Sequence, residues 1–394
     1  MQDILFLAHR VPYPPDRGDK IRSWHILKAL CGMVRVHVIA LCDDARDKAH
    51  LDVLKSVAAS VAVFDRKPSR AGAMMSALLH GGPASVHAFA SPALKQHVLS
   101  LLERKTIGCV YAFSGQMAQY VPQTMDARFV MDFVDMDSAK YGQWAHAGGL
   151  KGLANGFEAR RLQAFEIATA QRADVSLFIS EAEADLFRSV SGLGADKVQV
   201  LESGIDLVRF APDAVAGEHD PNLIVFTGQM DYEPNVEAVT DFVRDVWPLV
   251  REALPDAKFA IVGRNPVAAV TALAALAGVE VTGEVPDTRV WLKRAALVVA
   301  PLKLARGVQN KVLEAMAMGK AVVASSGALT GIDAQIGRDL IMADGADMTV
   351  HRLITLLQNP ADAARLGAAA RARMEARYGW EAQLRRLPEL VGAH

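Results

Sequence analysis

Short, nearly uninterrupted apolar runs alternate with longer amphipathic stretches along this chain, and few folds satisfy that rhythm. Residues 4–8, 34–41, 60–64, 107–112, 129–132 and 175–179 are apolar or β-branched without regular polar alternation, as strands buried on both faces are. Between them, residues 19–30, 45–57 and 91–104 carry apolar side chains at three- and four-residue spacings, which predicts helices. Strand and helix in alternation build parallel sheets covered on both faces.

The rhythm lapses once, at Glu202-Ser203-Gly204-Ile205-Asp206 and between Pro212 and Pro221, where Gly, Pro, Asp and His cluster. It resumes with strands at 223–226, 258–262, 279–282, 297–300 and 321–324, and with helices at 236–251, 267–277, from 287 onward, and 308–318. For 394 residues this predicts two similar α/β domains, 1–205 and 206–379, without a fixed-period repeat. The tail reads as helices broken near Pro360 and Gly379, with residues 380–394 returning to the first domain and Trp380 available to pack. Open α/β sheets bind ligands at the carboxyl ends of their strands, so function belongs in strand-following loops.

Composition narrows the choice of partner. Forty-three Lys and Arg against 44 Asp and Glu leave a net charge of -1, so no general basic field exists to hold a nucleic acid. Cys31, Cys42 and Cys109 are odd in number and lack CxxC spacing, which argues against a disulfide framework or zinc cluster and fits a reducing cytoplasm. The opening Met1-Gln2-Asp3 and the brief apolar run before His9 and Arg10 predict a first strand, not a signal peptide. The uncharged stretch 106–125 is interrupted by Ser114, Gly115, Gln116, Gln119, Pro122 and Gln123, so no membrane span is expected.

Two loops carry chemistry. The first runs from His9 to Lys20, stiffened by prolines and loosened at Gly18 just before a helix; its amides, with Arg17 and Lys20, suit an anion, while a plain turn explains Gly18 equally well. In the second, a strand ends at Pro301, a loop ends at Gly307, and a helix follows with Lys311 and Glu314 three apart on one face. That carboxylate can accept both hydroxyls of a ribose while loop amides and Lys311 take phosphates; the same spacing also describes an ordinary surface ion pair. Asp132 ends the fifth strand and Asp135 follows it, while Asp137 and Ser138 suit helix capping. Asp135-Met136-Asp137 has the spacing of a metal loop but follows a strand of the first domain, so neither metal nor cofactor is expected. Residues 66–79 join Arg66, Lys67 and Arg70 to an apolar turn, which fits either an interfacial anchor or a helix packed on the first domain.

The order of these segments resembles a known family. Arg306 to Val323 is similar to the signature of the retaining, GT-B-fold glycosyltransferases of family 4, in which a Gly-containing loop precedes a helix bearing Glu-Ala, then Gly and a Val-rich strand. Phe226 to Asn235, Ile261-Val262-Gly263-Arg264, Val281 to Val285, and Gly204-Ile205-Asp206 with Phe210 and Pro212 resemble its other signatures in the same order. Pro12 to Ser23, Asp132 to Ser138 and Arg306 to Lys311 resemble more narrowly the sugar transferases of PEP-CTERM/exosortase exopolysaccharide systems.

The resemblance implies an α/β GT-B architecture, two facing Rossmann-like doubly wound domains with an interdomain cleft. It assigns the donor ribose to Glu314, the diphosphate to Lys311 and the amides of Gly307, Val308 and Gln309, and the base to the backbone around Glu284 and Val285. Gly228, Gln229 and Arg264 join that donor site from other strand ends, and Gly18 and Arg17 from the first domain; on the acceptor side, relatives place a histidine or acid after the strand at 129–132, which implies that Asp132 or Asp135 orients the acceptor hydroxyl or takes its proton. Arg306 stands eight positions before Glu314, where the family often has a second glutamate; this departure suggests a cation that stabilises the departing diphosphate. The implied reaction is metal-independent hexosyl transfer from a UDP-, GDP- or ADP-sugar to a glycan or lipid-linked glycan, in the cytoplasm or on the inner membrane face. A nucleotide-sugar epimerase and a non-catalytic nucleotide-sugar-binding scaffold are the alternatives.

Overall fold

A computed structural model describes residues 2–15, 17–43, 45–66, 70–146, 148–303 and 308–393. It divides into two compact units, Met1–Ser203 with Gln383–His394, and Gly204–Ala382. In the first, strands β1 (Asp3–Ala8), β2 (Val36–Cys42), β3 (Ser60–Asp65), β4 (Ile107–Phe113), β5 (Arg128–Val134), β6 (Val175–Phe178) and β7 (Val198–Val200) form one sheet in the order β3-β2-β1-β4-β5-β6-β7. In the second, β8 (Leu223–Thr227), β9 (Lys258–Val262), β10 (Val279–Gly283), β11 (Leu297–Ala300), β12 (Ala321–Ala324) and β13 (Ile341–Met342) form a sheet ordered β10-β9-β8-β11-β12-β13. Every pairing within the two sheets is parallel.

The order reverses beside the first strand of each unit, which places β1 between β2 and β4, and β8 between β9 and β11. Leu5, Phe6 and Leu7 of β1, and Ile224, Val225 and Phe226 of β8, are wholly buried, because helices cover both faces of a parallel sheet. The uncharged stretch 106–125 becomes β4 and a tight helical turn, Gly115–Tyr120. Among the described residues no helix is long and apolar enough to cross a membrane.

A buried ion pair locks the first unit. Arg22, on the Gly18–Cys31 helix, and Asp132, on β5, are both essentially inaccessible to solvent. Arg22 Nε and Nη2 each donate to an Asp132 oxygen at 3.2 Å, the Tyr111 hydroxyl donates at 2.8 Å, and the Val134 amide donates at 3.2 Å. The carboxylate expected to serve an acceptor hydroxyl is thus buried with both oxygens engaged, and in this arrangement it ties helix to sheet.

Breaking one side of a buried pair leaves an uncompensated charge. Arg22→Met is therefore expected to cost about 3–5 kcal/mol in urea unfolding, with Arg22→Met/Asp132→Leu recovering much of the loss. Equal stability of Arg22→Met and wild type would contradict the assignment.

Candidate functional site

The carboxyl ends of β8, β9 and β10 are joined by backbone contacts that only glycine permits. Gly228 N donates to Val262 O at 3.0 Å, Gly263 N to Gly283 O at 3.2 Å, and Met230 N to Arg264 O at 2.9 Å. Gly263 has φ +154°, and a Cβ there would stand 1.6 Å from Gly228 O. A Cβ on Gly228 would stand 2.7 Å from Asn235 Nδ2 and 3.2 Å from Lys311 Nζ. Glycine at these two positions lets the strand ends touch and admits the amide and ammonium beside them.

These loops and the start of the Asn310–Ala317 helix enclose a cavity of about 450 Å³. Gly228, Gln229, Arg264, Glu284, Val285, Gln309, Lys311 and Glu314 all line it, as do Thr227, Tyr232, Asn235, Gly263, Thr288 and Asn310. The helix has no side-chain N-cap and no acid in its first turn, so its amino end keeps its positive character toward the cavity.

Glu314 is recessed in the cavity wall and reaches solvent only in part. Burial pushes its carboxyl up to about 7, against the opposing pull of Arg209 and Lys311. Burial also brings the Lys311 ammonium down to about 8, with Glu314 opposing that shift. Lys311 Nζ donates to Asn235 Oδ1 and lies 4.4 Å from the centroid of the Phe226 ring, while Asn235 Nδ2 donates to Gln229 O at 2.9 Å. The pair is thus no ordinary surface ion pair: an acid and a base titrate near neutrality inside a concave, partly dry wall.

Val308 is exposed and does not line the cavity. Arg306 and Gly307 lie outside the described residues. Gly18 begins a helix of the first unit with open space where a Cβ would stand, and Arg17 Nε pairs with Asp19 at 2.9 Å.

The sequence names Thr227, Tyr232 and Asn235 only as part of the loop Phe226 to Asn235 and singles out neither them nor Thr288 as cavity residues, nor Arg209 as a charge acting on Glu314. Asn235 had a signal, since a polar residue just after Pro234 at a helix start is placed to face a strand-end loop. Thr227 Oγ1 is buried without a hydrogen-bond partner and had none.

The carboxyl edge of the first sheet forms a second polar cluster. Lys140 Nζ binds Asp135 at 2.8 Å and Asp137 at 3.1 Å, so an ammonium stands between the two carboxylates of Asp135-Met136-Asp137. Among the described residues no three His, Cys, Asp or Glu side chains converge to hold a metal ion. Asp135 keeps about a third of its side chain exposed. Beside it Val134 has φ +70°, and Ser114, after β4, has φ +75°; both are conformations that cost side-chain-bearing residues energy. His9, after β1, is buried against Phe113 and Phe89, with Nε2 3.1 Å from Asp19 and 2.8 Å from Arg10 Nη1. Burial lowers its pKa.

Residues 221–359 match the family model described as glycosyl transferases group 1, and this segment contains every residue of the cavity. None of the curated proteins matches the chain. Among solved structures, Anabaena Alr3699/HepE in complex with UDP and glucose is 15% identical, with a TM-score of 0.65 and 100% of both chains covered. Sucrose-phosphate synthase (tll1590) from Thermosynechococcus elongatus is 17% identical, at 0.63, with 99% of this chain and 98% of that one covered. WaaG, a glycosyltransferase involved in lipopolysaccharide biosynthesis, is 14% identical, at 0.63, with 99% and 100% covered. The two parallel-sheet units thus have the GT-B fold of glycosyltransferases.

A carboxyl group whose folded pKa is raised from 4.5 to about 7 contributes stability that is fully present below 4.5 and is lost as pH rises through 7. Glu314→Gln removes that titration. In urea unfolding between pH 5 and 8 the wild type should therefore lose stability relative to Glu314→Gln as pH rises, and parallel curves would contradict a desolvated Glu314.

Proposed function

We propose that this chain is a retaining glycosyltransferase that moves a hexose from a nucleotide diphosphate sugar to a lipid-linked exopolysaccharide precursor. The observation that carries the reading is the recessed Glu314 beside Lys311 at the amino end of one helix, in a cavity whose residues all fall within the segment matching the group 1 glycosyltransferases. An ionised Glu314 accepts both ribose hydroxyls, leaving the diphosphate beside Lys311 and the first-turn amides. Lys311 has three N–H donors and gives one to Asn235, so phosphate oxygens can share the ammonium without displacing it.

Breaking the sugar–phosphate bond places negative charge on the diphosphate, which a fixed ammonium and helix dipole stabilise without reorganisation. Arg306, standing where the family often has a glutamate, is a further cation to offset that negative charge. The base rests along Glu284 and Val285, with Gln229 and Arg264 linked by a 3.2 Å hydrogen bond at the cavity rim. In the first unit Asp135 is the carboxylate left to orient an acceptor hydroxyl, since Asp132 is consumed by Arg22 and Tyr111; backbone strain at Val134 and Ser114 beside it fits a functional edge. The UDP complexes of Alr3699/HepE make UDP-glucose the first donor to test.

Calorimetric titration with UDP-glucose is expected to show Glu314→Gln binding about ten- to a hundredfold more weakly, the effect of losing charge-assisted hydrogen bonds. Wild-type affinity should fall as pH drops through about 7, where Glu314 takes up a proton, and as pH rises through about 8, where Lys311 loses one. Unchanged affinity in Glu314→Gln removes the carboxylate from the site. Incubation with labelled donor and no acceptor tests the reaction class, because an isomeric sugar nucleotide would point to an epimerase instead.

A further inference from the structure

The helix Arg70–His80 of the first unit is packed the wrong way round for a globular protein. It buries two small residues, Ala73 and Ala77, and turns Met74, Met75, Leu78 and Leu79 outward, the two leucines 71% and 72% exposed. Amphipathic helices that only complete a core do the reverse, because burying large apolar side chains is what stabilises them. The long helix Gly149–Arg172 continues the feature with Leu153 and Phe157, 74% and 56% exposed and one turn apart. Arg161 joins the two helices: its Nη1 donates to the carbonyls of Ala77 at 3.4 Å and Gly82 at 3.2 Å, and its guanidinium lies over the Phe157 ring at 4.3 Å. Single exposed apolar residues are ordinary, but six on two linked helices form a face that needs a cover.

Charge indicates the cover. Between Asp65 and Glu103 the sequence holds Arg66, Lys67, Arg70 and Lys95 and no acid, in a chain whose net charge is -1. On the second helix Lys151 and Arg160, both exposed, accompany the exposed pair, while Arg161 is held by the Ala77 and Gly82 carbonyls and the Phe157 ring. The acid of the second helix nearest the exposed pair, Glu158, is already engaged, accepting from the amides of Ala84 at 3.0 Å and Ser85 at 2.8 Å, and Asp43 and Asp65, beside Arg66, are paired with Arg10 at 2.9 Å and Lys48 at 2.5 Å.

We propose that this face of the first unit docks on an anionic lipid bilayer, Met74, Met75, Leu78, Leu79, Leu153 and Phe157 entering the interfacial layer while the flanking cations meet lipid phosphates. A second copy of the chain would satisfy the apolar residues but would bring like charges together. The inference is independent of the donor cavity, all of whose residues lie in the other unit.

Flotation of the full chain with phosphatidylcholine vesicles, with and without phosphatidylglycerol, tests it. The account expects at least about tenfold more protein on the anionic vesicles, less as salt is raised, and about a tenfold or greater loss in Leu79→Glu/Leu153→Glu. Both substituted side chains are exposed, so the variant should keep its melting temperature and its calorimetric UDP-glucose binding. Equal flotation with neutral lipid, no flotation, or an unaffected variant overturns the proposal. So does self-association in sedimentation velocity that Leu79→Glu abolishes while vesicles remain unbound, which would assign the face to a second copy.

Discussion

The contact between Gly228 and Gly263 sets the geometry on which the second unit depends. Two strand ends meet there with no room for a methyl group, and their loops turn outward carrying Gln229 and Arg264. The gap left by the missing side chains is where Asn235 and Lys311 come together, from segments 76 residues apart. A larger residue at Gly228 would press on the Asn235 and Lys311 donors, and one at Gly263 would press on the Gly228 carbonyl beside them, so backbone packing and side-chain chemistry at this site are one constraint.

A second constraint follows from burial. Glu314 and Lys311 sit where burial opposes their charged forms, which pushes the acid up to about 7 and the base down to about 8. A protein built for stability alone would exchange them for apolar residues. A pocket that must grip hydroxyls and phosphates needs both charges, already oriented, before the ligand arrives. Asp132 and Asp135 of the first unit make a similar contrast: Asp132 is satisfied internally and anchors a helix, while Asp135, paired with Lys140, stays about a third exposed at a strained strand end.

Much of this was legible in the sequence, for physical reasons. Strands such as β9, β11 and β12 are buried on both faces, so their apolar runs mark them almost to the residue. The edge strands β7 and β13, three and two residues long, carry no period to detect. The 24-residue helix Gly149–Arg172 escaped notice because Gly149, Gly152 and Gly156 lower its helical propensity. Gly228, Gln229, Arg264, Glu284 and Val285, on strand-following loops that line the cavity, were named through the family resemblance, because spacing alone does not single them out. The role of Asp132 was not, because a strand-end acid reads the same whether it faces solvent or an arginine 110 residues away.

The measurement that bears most directly on the account is a crystal structure of the chain with UDP-glucose bound. It should show both ribose hydroxyls on the Glu314 carboxylate at about 2.5–3.0 Å and the diphosphate at Lys311 and the amino end of its helix. A nucleotide bound elsewhere, or one seated in the cavity with Glu314 turned away from its ribose, would contradict it.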